Sequence, residues 1–456
     1  MNVKAVIGNV LKQGPVQTGR LYMKRRKKRL EERRKLRLEE RTIKMLAKGS
    51  FEKAKPVFEE WLQAISKKPV TEKYFNKMQR SVYIKRVYPQ VYQKEAQKPV
   101  QNKIIFMERE GAHVLSWKYM YEYMQKNTSY EIKVHYLHLR EVPMEEYYEN
   151  ARDYIRDAAT AKAIFVCSSD DLMGYFSLRP ETTYIQLWHG CGVFKKIGLS
   201  TIDQKWGKSA ASHKEYPINK NYSYVTIASP ELSWIFEEAM GIDKESGVIV
   251  PTGVSRTDIF FDDEYIQNCY EKLYAKIPEA RKKKIILYAP TFRGKVSQAA
   301  APDVLDIARF SEELGDKYIL ICKHHQLVKE PPEIPEKYRN TFAWDMSKDD
   351  EMNINDLMIV SDICISDYSS VVFEYSLMER PMIFFVYDLE DYIDERGLYY
   401  DFDEITPGPL CRTNEEIIEY IQNIDEKFDR QVVIDFKNKF MCSCDGHSSE
   451  RIAALI

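Results

Sequence analysis

The feature that most constrains this chain is a rhythm: short apolar, β-prone runs, each followed by a stretch of helical character. From about residue 100 the runs are Lys103 to Met107, Lys133 to Leu139, Ala163 to Cys167, Tyr184 to Trp188, Tyr224 to Ala228 and Val248 to Val250. A second succession, Lys284 to Tyr288, Tyr318 to Cys322, Ile363 to Ser366 and Met382 to Tyr387, begins after the polar helical stretch Asp262 to Arg281. Strands that alternate with helices pair in parallel through crossovers. At 456 residues the chain also exceeds what one ordinary core accommodates. The rhythm predicts an α/β protein with two doubly wound domains, 101–262 and 263–456, meeting near residues 255 to 282.

The first hundred residues differ in kind. They carry 27 Lys+Arg against 9 Asp+Glu, so a near-neutral chain has one basic end and an acidic remainder. The run Met23 to Arg41 lacks Gly and Pro, favours helix, and interleaves Glu-Glu pairs that offer i,i+4 partners. Phe58, Trp61, Leu62 and Ile65 follow at helical spacing, and Tyr74, Tyr83, Tyr88 and Tyr92 add amphipathic rings beside further lysines. Residues 1–100 therefore read as a basic, mainly helical extension. It is either a docking element for an anionic membrane surface, where rings sit at the interface, or a solvated helical arm. Nucleic acid ranks last, because no nucleic-acid module is present. No apolar run reaches bilayer-spanning length, and the first residues lack a signal-peptide pattern, so the expectation is a cytoplasmic protein. The eight scattered cysteines suit reduced core thiols, and Cys442-Ser443-Cys444 matches no common metal spacing.

Chemistry is expected at the carboxyl ends of the strands. Tyr184 to Trp188 stops abruptly at His189-Gly190-Cys191-Gly192, presenting a histidine that titrates near neutrality beside glycines that permit close approach. Taken alone, such a histidine is more often a hydrogen-bonded structural residue. Lys195 and Lys196 follow, either guiding a phosphorylated acceptor or solvating a helix. In the second succession, one strand runs into Ala289-Pro290-Thr291-Phe292-Arg293-Gly294, whose arginine fork suits phosphate oxygens or a salt bridge. The next delivers Lys323-His324-His325, with Lys323 and His325 on one face by period-two alternation. Ile363 to Ser366 enters Asp367-Tyr368-Ser369-Ser370, which caps a helix bearing Glu374. Serine hydroxyls at a helix start make an anion site or a plain cap, and Glu374 is placed to accept from ribose hydroxyls or to complement the helix dipole.

The ordered set Trp188-His189-Gly190-x-Gly192-x-Phe194-Lys195-Lys196-x-Gly198, Tyr288 to Gly294, Lys323-His324-His325 and Ser366 to Ser370 followed by Phe373-Glu374 resembles the CDP-glycerol glycerophosphotransferase family. These are the teichoic acid polymerases and primases. The likeness runs from roughly residue 160 to 425, including Arg380 to Phe385, Tyr387-Asp388-Leu389, Arg396-Gly397 and Pro407-Gly408-Pro409. It implies a GT-B architecture, two Rossmann-like domains facing a cleft, and transfer of glycerol or ribitol phosphate from CDP-glycerol or CDP-ribitol to a hydroxyl of a lipid-linked, membrane-anchored acceptor, releasing CMP. On matching positions it implies His189 as general base, with Gly190, Lys195 and Lys196 on the acceptor side. Arg293, Lys323, Asp367, His325, Ser369 and Ser370 would meet the donor, with His325 also a catalytic candidate, and Glu374 would hold the ribose. Gln326 stands where the family usually has proline, which loosens the geometry of His325. Without an acidic metal cluster, no tightly bound cofactor is expected, magnesium remaining open. The location implied is the inner face of the plasma membrane. The competing readings are a nucleotide-sugar glycosyltransferase on the same scaffold and a non-catalytic polyanion- or membrane-binding scaffold.

Overall fold

A computed structural model describes residues 15–66, 71–109, 114–138, 142–170, 172–202, 204, 207, 209–294 and 298–456. The chain divides into two compact units, one of residues 1–97 with 143–156, the other of residues 98–142 with 157–456.

In the smaller unit the helices Pro15–Ala47 and Phe51–Ile65 pack as a hairpin. Leu38, Thr42 and Leu46 form the buried stripe of the first helix, while its basic residues around 24–37 stay largely exposed. The aromatic residues do not behave as the sequence suggests. Tyr83, Tyr88 and Tyr92 are buried, and only Tyr74 of that group is exposed. Tyr83 stacks on Tyr148 at 4.1 Å and lies 6.1 Å from Phe51. The reason is the helix Met144–Ala158, most of which the smaller unit borrows from later in the chain and which covers rings that would otherwise face solvent or lipid.

The larger unit holds two six-stranded, all-parallel sheets. The first comprises β1 (Lys103–Glu108), β2 (Glu131–Tyr136), β3 (Ala163–Val166), β4 (Thr183–Gln186), β5 (Tyr224–Thr226) and β6 (Ile249–Val250), in the order β2-β1-β3-β4-β5-β6. The second comprises β7 (Lys284–Tyr288), β8 (Tyr318–Cys322), β9 (Ala343–Asp345), β10 (Ile363–Ser366), β11 (Met382–Phe385) and β12 (Leu410–Cys411), in the order β12-β11-β10-β7-β8-β9. Read from β9, this is the strand order of a dinucleotide-binding sheet, with its direction reversing between β7 and β10. The two doubly wound sheets with flanking helices are the α/β, GT-B-like class expected. Edge strands β9 and β12 fall outside the predicted runs, since Ala343-Trp344-Asp345 ends in a charge and Leu410-Cys411 stands between Pro409 and Arg412. The predicted run to Leu139 ends in structure at Tyr136, and Leu139 itself lies outside the described residues.

Each sheet has its own core. Ile286, Leu320, Ile365 and Ile383 pack with Phe310, Phe342 and Ile421, and Ile104, Phe106, Phe165 and Ile185 pack with Trp117 and Met120. The chain finally returns: Ile452, on the helix Ser448–Ala453, is fully buried in the core of the first sheet. Arg451 secures that helix by donating to the Thr252 carbonyl at 2.8 Å. Ile452→Ala should therefore destabilise the first sheet by about 2–5 kcal/mol, read as a lowered unfolding midpoint in urea. An unchanged midpoint would show the last helix to be dispensable.

Candidate active site

Strand β4 ends at Gln186, and the turn beyond it is built by side-chain bonding. The Gln186 side-chain oxygen accepts from the Trp188 amide at 2.9 Å, and its NH2 donates to the Ser168 carbonyl and the Tyr222 hydroxyl. Trp188 adopts φ of 59°, in the left-handed region that bulky residues rarely enter. This ends the strand two residues earlier than its apolar run and turns His189 beyond the sheet. His189 Nδ1 lies 3.0 Å from the Cys167 carbonyl oxygen. A carbonyl can only accept, so Nδ1 carries the proton, and in the neutral ring Nε2 holds the lone pair a general base requires.

Gly190 and Gly192 bring this turn against the loop after β10. A Cβ on Gly190 would sit 3.3 Å from the Ser370 hydroxyl, and one on Gly192 would strike the Phe373 ring. Ser369 Oγ accepts from the Val371 amide at 3.4 Å, and Glu374 is buried one turn further on. The join is made by Arg256, just after β6. Its Nη1 donates to the His189 carbonyl at 3.0 Å, and its Nη2 donates to Asn355 Oδ1 at 3.0 Å and stands 3.4 Å from Glu374 Oε1.

Arg293 anchors a second cluster. Its Nε and Nη2 grip both oxygens of Asp388 at 2.6 and 3.0 Å, and Nη1 donates to Asp367 at 2.9 Å and to the Thr291 carbonyl at 2.7 Å. The rings of Tyr368, Tyr387 and Tyr392 surround the guanidinium at 5.3, 5.5 and 5.2 Å. Burial works against the charge of Arg293, but hydrogen bonding to Asp388 and the nearby Asp367 carboxylate push its pKa higher still. For Asp367 burial prevails and raises the carboxyl above its usual range, against the pull of Arg293 and the Thr291 amide. The fork expected on a donor phosphate is thus largely engaged by two carboxylates, and it braces the strand-end loops.

The segment after the histidine turn crosses to the other half of the unit. Lys195 forms an antiparallel bridge with Leu398, the Lys196 amide donates to the Gly397 carbonyl at 3.0 Å, and the Tyr399 amide donates to the Phe194 carbonyl at 2.8 Å. This places the Lys195 side chain within electrostatic reach of Arg396, Asp367 and Arg293. Burial, followed by the Arg396 and Arg293 charges, lowers its pKa to about 8 against the pull of Asp367.

The third strand end is not part of this grouping. Lys323 Nζ donates to the carbonyls of Met346 at 2.6 Å and Met352 at 3.2 Å, which tie down the 346–352 loop, and burial lowers its pKa. His324 is buried against Tyr288, and burial lowers its pKa too. His325 is exposed, accepts from the Leu327 amide at 3.2 Å and packs on Phe292 at 5.0 Å. Sequence reasoning gave no role to Arg256 or Asp388. Both follow strand ends, β6 and β11, and the rule that found the others applies equally to them. Among the described residues no group of three His, Cys, Asp or Glu side chains is placed to hold a metal ion.

A family model described as CDP-Glycerol:Poly(glycerophosphate) glycerophosphotransferase matches residues 90–456. The chain belongs to this family. It is 39% identical over 300 residues to the teichoic acid poly(ribitol-phosphate) polymerase of Bacillus spizizenii, covering 65% of this chain and 47% of that protein. It is 37% identical over 280 residues to the teichoic acid ribitol-phosphate primase of the same organism, covering 61% of this chain and 70% of the primase. The chain thus spans about half the length of that polymerase. Among solved structures, the wall teichoic acid polymerase TagF is similar with a TM-score of 0.65 and 25% identity, covering 85% of this chain and 98% of that one. A variant of TagF soaked with CDPG matches with a TM-score of 0.67 at 25% identity, over 85% of this chain and 98% of that one.

The depressed pKa of Lys195 carries a sign. A lysine whose folded pKa lies below its unfolded value costs stability wherever the unfolded chain holds the proton more tightly, and the whole cost is present below about pH 8. Lys195→Met should therefore raise the melting temperature at pH 7, with the gain shrinking as the pH rises from 8 towards 10.5. A lowered melting temperature at pH 7 would show the ammonium to be stabilising.

Proposed function

We propose that this chain transfers an alditol phosphate from a CDP-alditol to an acceptor hydroxyl, releasing CMP. The observation that carries the reading is the meeting of the His189 turn with the Ser369–Ser370 loop across the two sheets of one family member. In this reading His189 Nε2 takes the proton from the attacking hydroxyl, which meets phosphorus in line with the departing CMP. Ser369, Ser370 and Lys195 face the charge that collects on the phosphate oxygens, Glu374 accepts from the ribose, and Arg293 with Asp367 holds the loops that carry them. Gly190 leaves room for substrate beside the base, and Lys196 lies on the acceptor side. From β8 only His325, whose ring packs on Phe292 next to Arg293, stays a donor-side and catalytic candidate, while Lys323 ties down the 346–352 loop. The acceptor-side domain is 101–262, joined by the returning helix Ser448–Ala453, and the rest of 263–456 is the donor domain. The relatives named for ribitol phosphate match at 39 and 37%, whereas the poly(glycerol phosphate) polymerase of Bacillus subtilis matches at 30%. CDP-ribitol is accordingly the first donor to test.

Purified protein given CDP-ribitol or CDP-glycerol and a lipid-linked alditol-phosphate acceptor should release CMP, and His189→Ala should reduce the rate by about 10²–10⁴-fold, the usual reach of general-base catalysis. Full activity in that variant would remove His189 from the mechanism, and protection from heat by UDP-sugars but not CDP-alditols would favour sugar transfer. Because the Lys195 ammonium is lost as the pH rises past about 8, the rate should fall along a basic limb near that value. Lys195→Arg should carry the limb upward, and an unmoved limb would assign it elsewhere.

The acceptor is taken to be anchored at the inner face of the plasma membrane, with the basic helix 15–47 lying against anionic lipid. No helix of the described residues is long and apolar enough to cross a membrane, and Tyr83, Tyr88 and Tyr92 are core residues. Charge rather than ring insertion would then supply the attraction, at about 1 kcal/mol per Lys or Arg near the surface. Replacing Lys24, Arg25, Arg26, Lys27, Lys28 and Arg29 by glutamate should abolish sedimentation with phosphatidylglycerol vesicles, and 0.5 M salt, roughly halving the screening length of physiological buffer, should do the same to the native protein. Binding that survives both would exclude this helix as the docking element.

A further inference from the structure

We infer that Arg256 is a positioning residue that couples occupation of the donor site to the placement of His189. The inference rests on the proposed role of His189 as the base. One planar fork holds three partners: the backbone carbonyl of His189 from the first sheet's turn, and the side chains of Asn355 and Glu374 from helices of the second half. A guanidinium is rigid, so a shift at one partner is felt at the others. Arg256 and Glu374 are both largely withdrawn from water, at 9% and 1% exposure, so each charge depends on the other.

A second observation points to a ligand in the same place. Among the described residues, Glu374 Oε2, Asn355 Nδ2 and Arg256 Nε are buried polar atoms without a hydrogen-bond partner. Buried polar groups are ordinarily satisfied, and three orphans on three side chains already bonded to one another mark a site completed by polar groups from outside the chain. One carboxylate oxygen and one amide NH2 together suit a hydroxyl-rich moiety such as the ribose of a nucleoside diphosphate. Engaging Oε2 and Nδ2 draws Glu374 and Asn355 toward the ligand, and Arg256 passes that constraint to the carbonyl of His189. The base is therefore set in register when the donor is present.

The test uses the full chain with Arg256→Lys, which keeps a buried cation able to serve one partner but not three, and Arg256→Met as a second variant. In CMP release at saturating acceptor, Arg256→Lys should lose about 10²-fold in kcat, the cost of a displaced catalytic group, with the KM for CDP-alditol within about 3-fold of the native value. A native kcat, or a loss carried by KM alone, overturns the inference. Independently of turnover, the native protein labelled with [13C]histidine should show a His189 ring resonance, assigned by its loss in His189→Gln, that moves on adding CDP. In Arg256→Lys, CDP should still bind by calorimetry while that resonance stays still. A native resonance indifferent to bound CDP, or one that moves equally in native and variant protein, overturns the coupling. Should the native protein release no CMP from either donor, the proposed function fails, and the resonance measurement still decides whether Arg256 links the two sites. If Arg256→Met unfolds while Arg256→Lys folds and behaves as native, the residue is structural and the inference is overturned.

Discussion

Parallel pairing is the constraint from which the rest follows. A parallel strand reaches its neighbour only by a crossover that returns the chain to the starting edge, so every strand of a sheet delivers its carboxyl end to the same side. In the second sheet the order reverses between β7 and β10, which opens a crevice between the loops that follow them. Thr291 and Arg293 come from one of those loops and Asp367, Ser369 and Ser370 from the other, and the Asp367 bonds to both Thr291 and Arg293 stitch the crevice together. His189 follows from the same rule in the first sheet.

Charge is organised in this region by engagement rather than by openness. Arg293, Arg256 and Lys323 all follow strand ends, and each is held by carboxylates or carbonyls of the chain itself. Lys195 differs, since its pKa is depressed by burial beside two arginines. The arrangement leaves few long cationic side chains to be ordered when substrate arrives, so less conformational entropy remains to be lost on binding.

Much of this was legible in the chain. The apolar runs mark ten of the strands, and for those inside the sheets the reason is burial on both faces, which leaves a continuous hydrophobic signature. Edge strands β9 and β12 leave none. The turn after β4 was visible as an apolar run broken by His189-Gly190, yet its early end was not, because it depends on the Gln186 side chain and the unusual backbone of Trp188. Arg256 escaped because it stands past the end of the run Val248 to Val250 and its partner Asn355 lies 99 residues downstream, a span with no local pattern. The partners of Arg293 escaped because Asp388 lies 95 residues away in sequence, and a salt bridge of that span has no local pattern. Tyr83, Tyr88 and Tyr92 misled for a related reason: next to lysines they read as interfacial rings, while the ring that stacks on Tyr83 belongs to a segment 65 residues downstream.

That borrowed segment also sets an order of events during synthesis. The smaller unit takes Tyr148 from the helix Met144–Ala158, although β1 and β2 of the larger unit are made in between. As the chain emerges, the basic hairpin is complete by residue 65, but its aromatic neighbourhood stays uncovered until the ribosome has passed residue 156. Through that interval a cationic helix pair with unburied tyrosines has already left the ribosome, and it is in the nascent chain, more than in the finished one, that these rings are free to meet a bilayer or a chaperone.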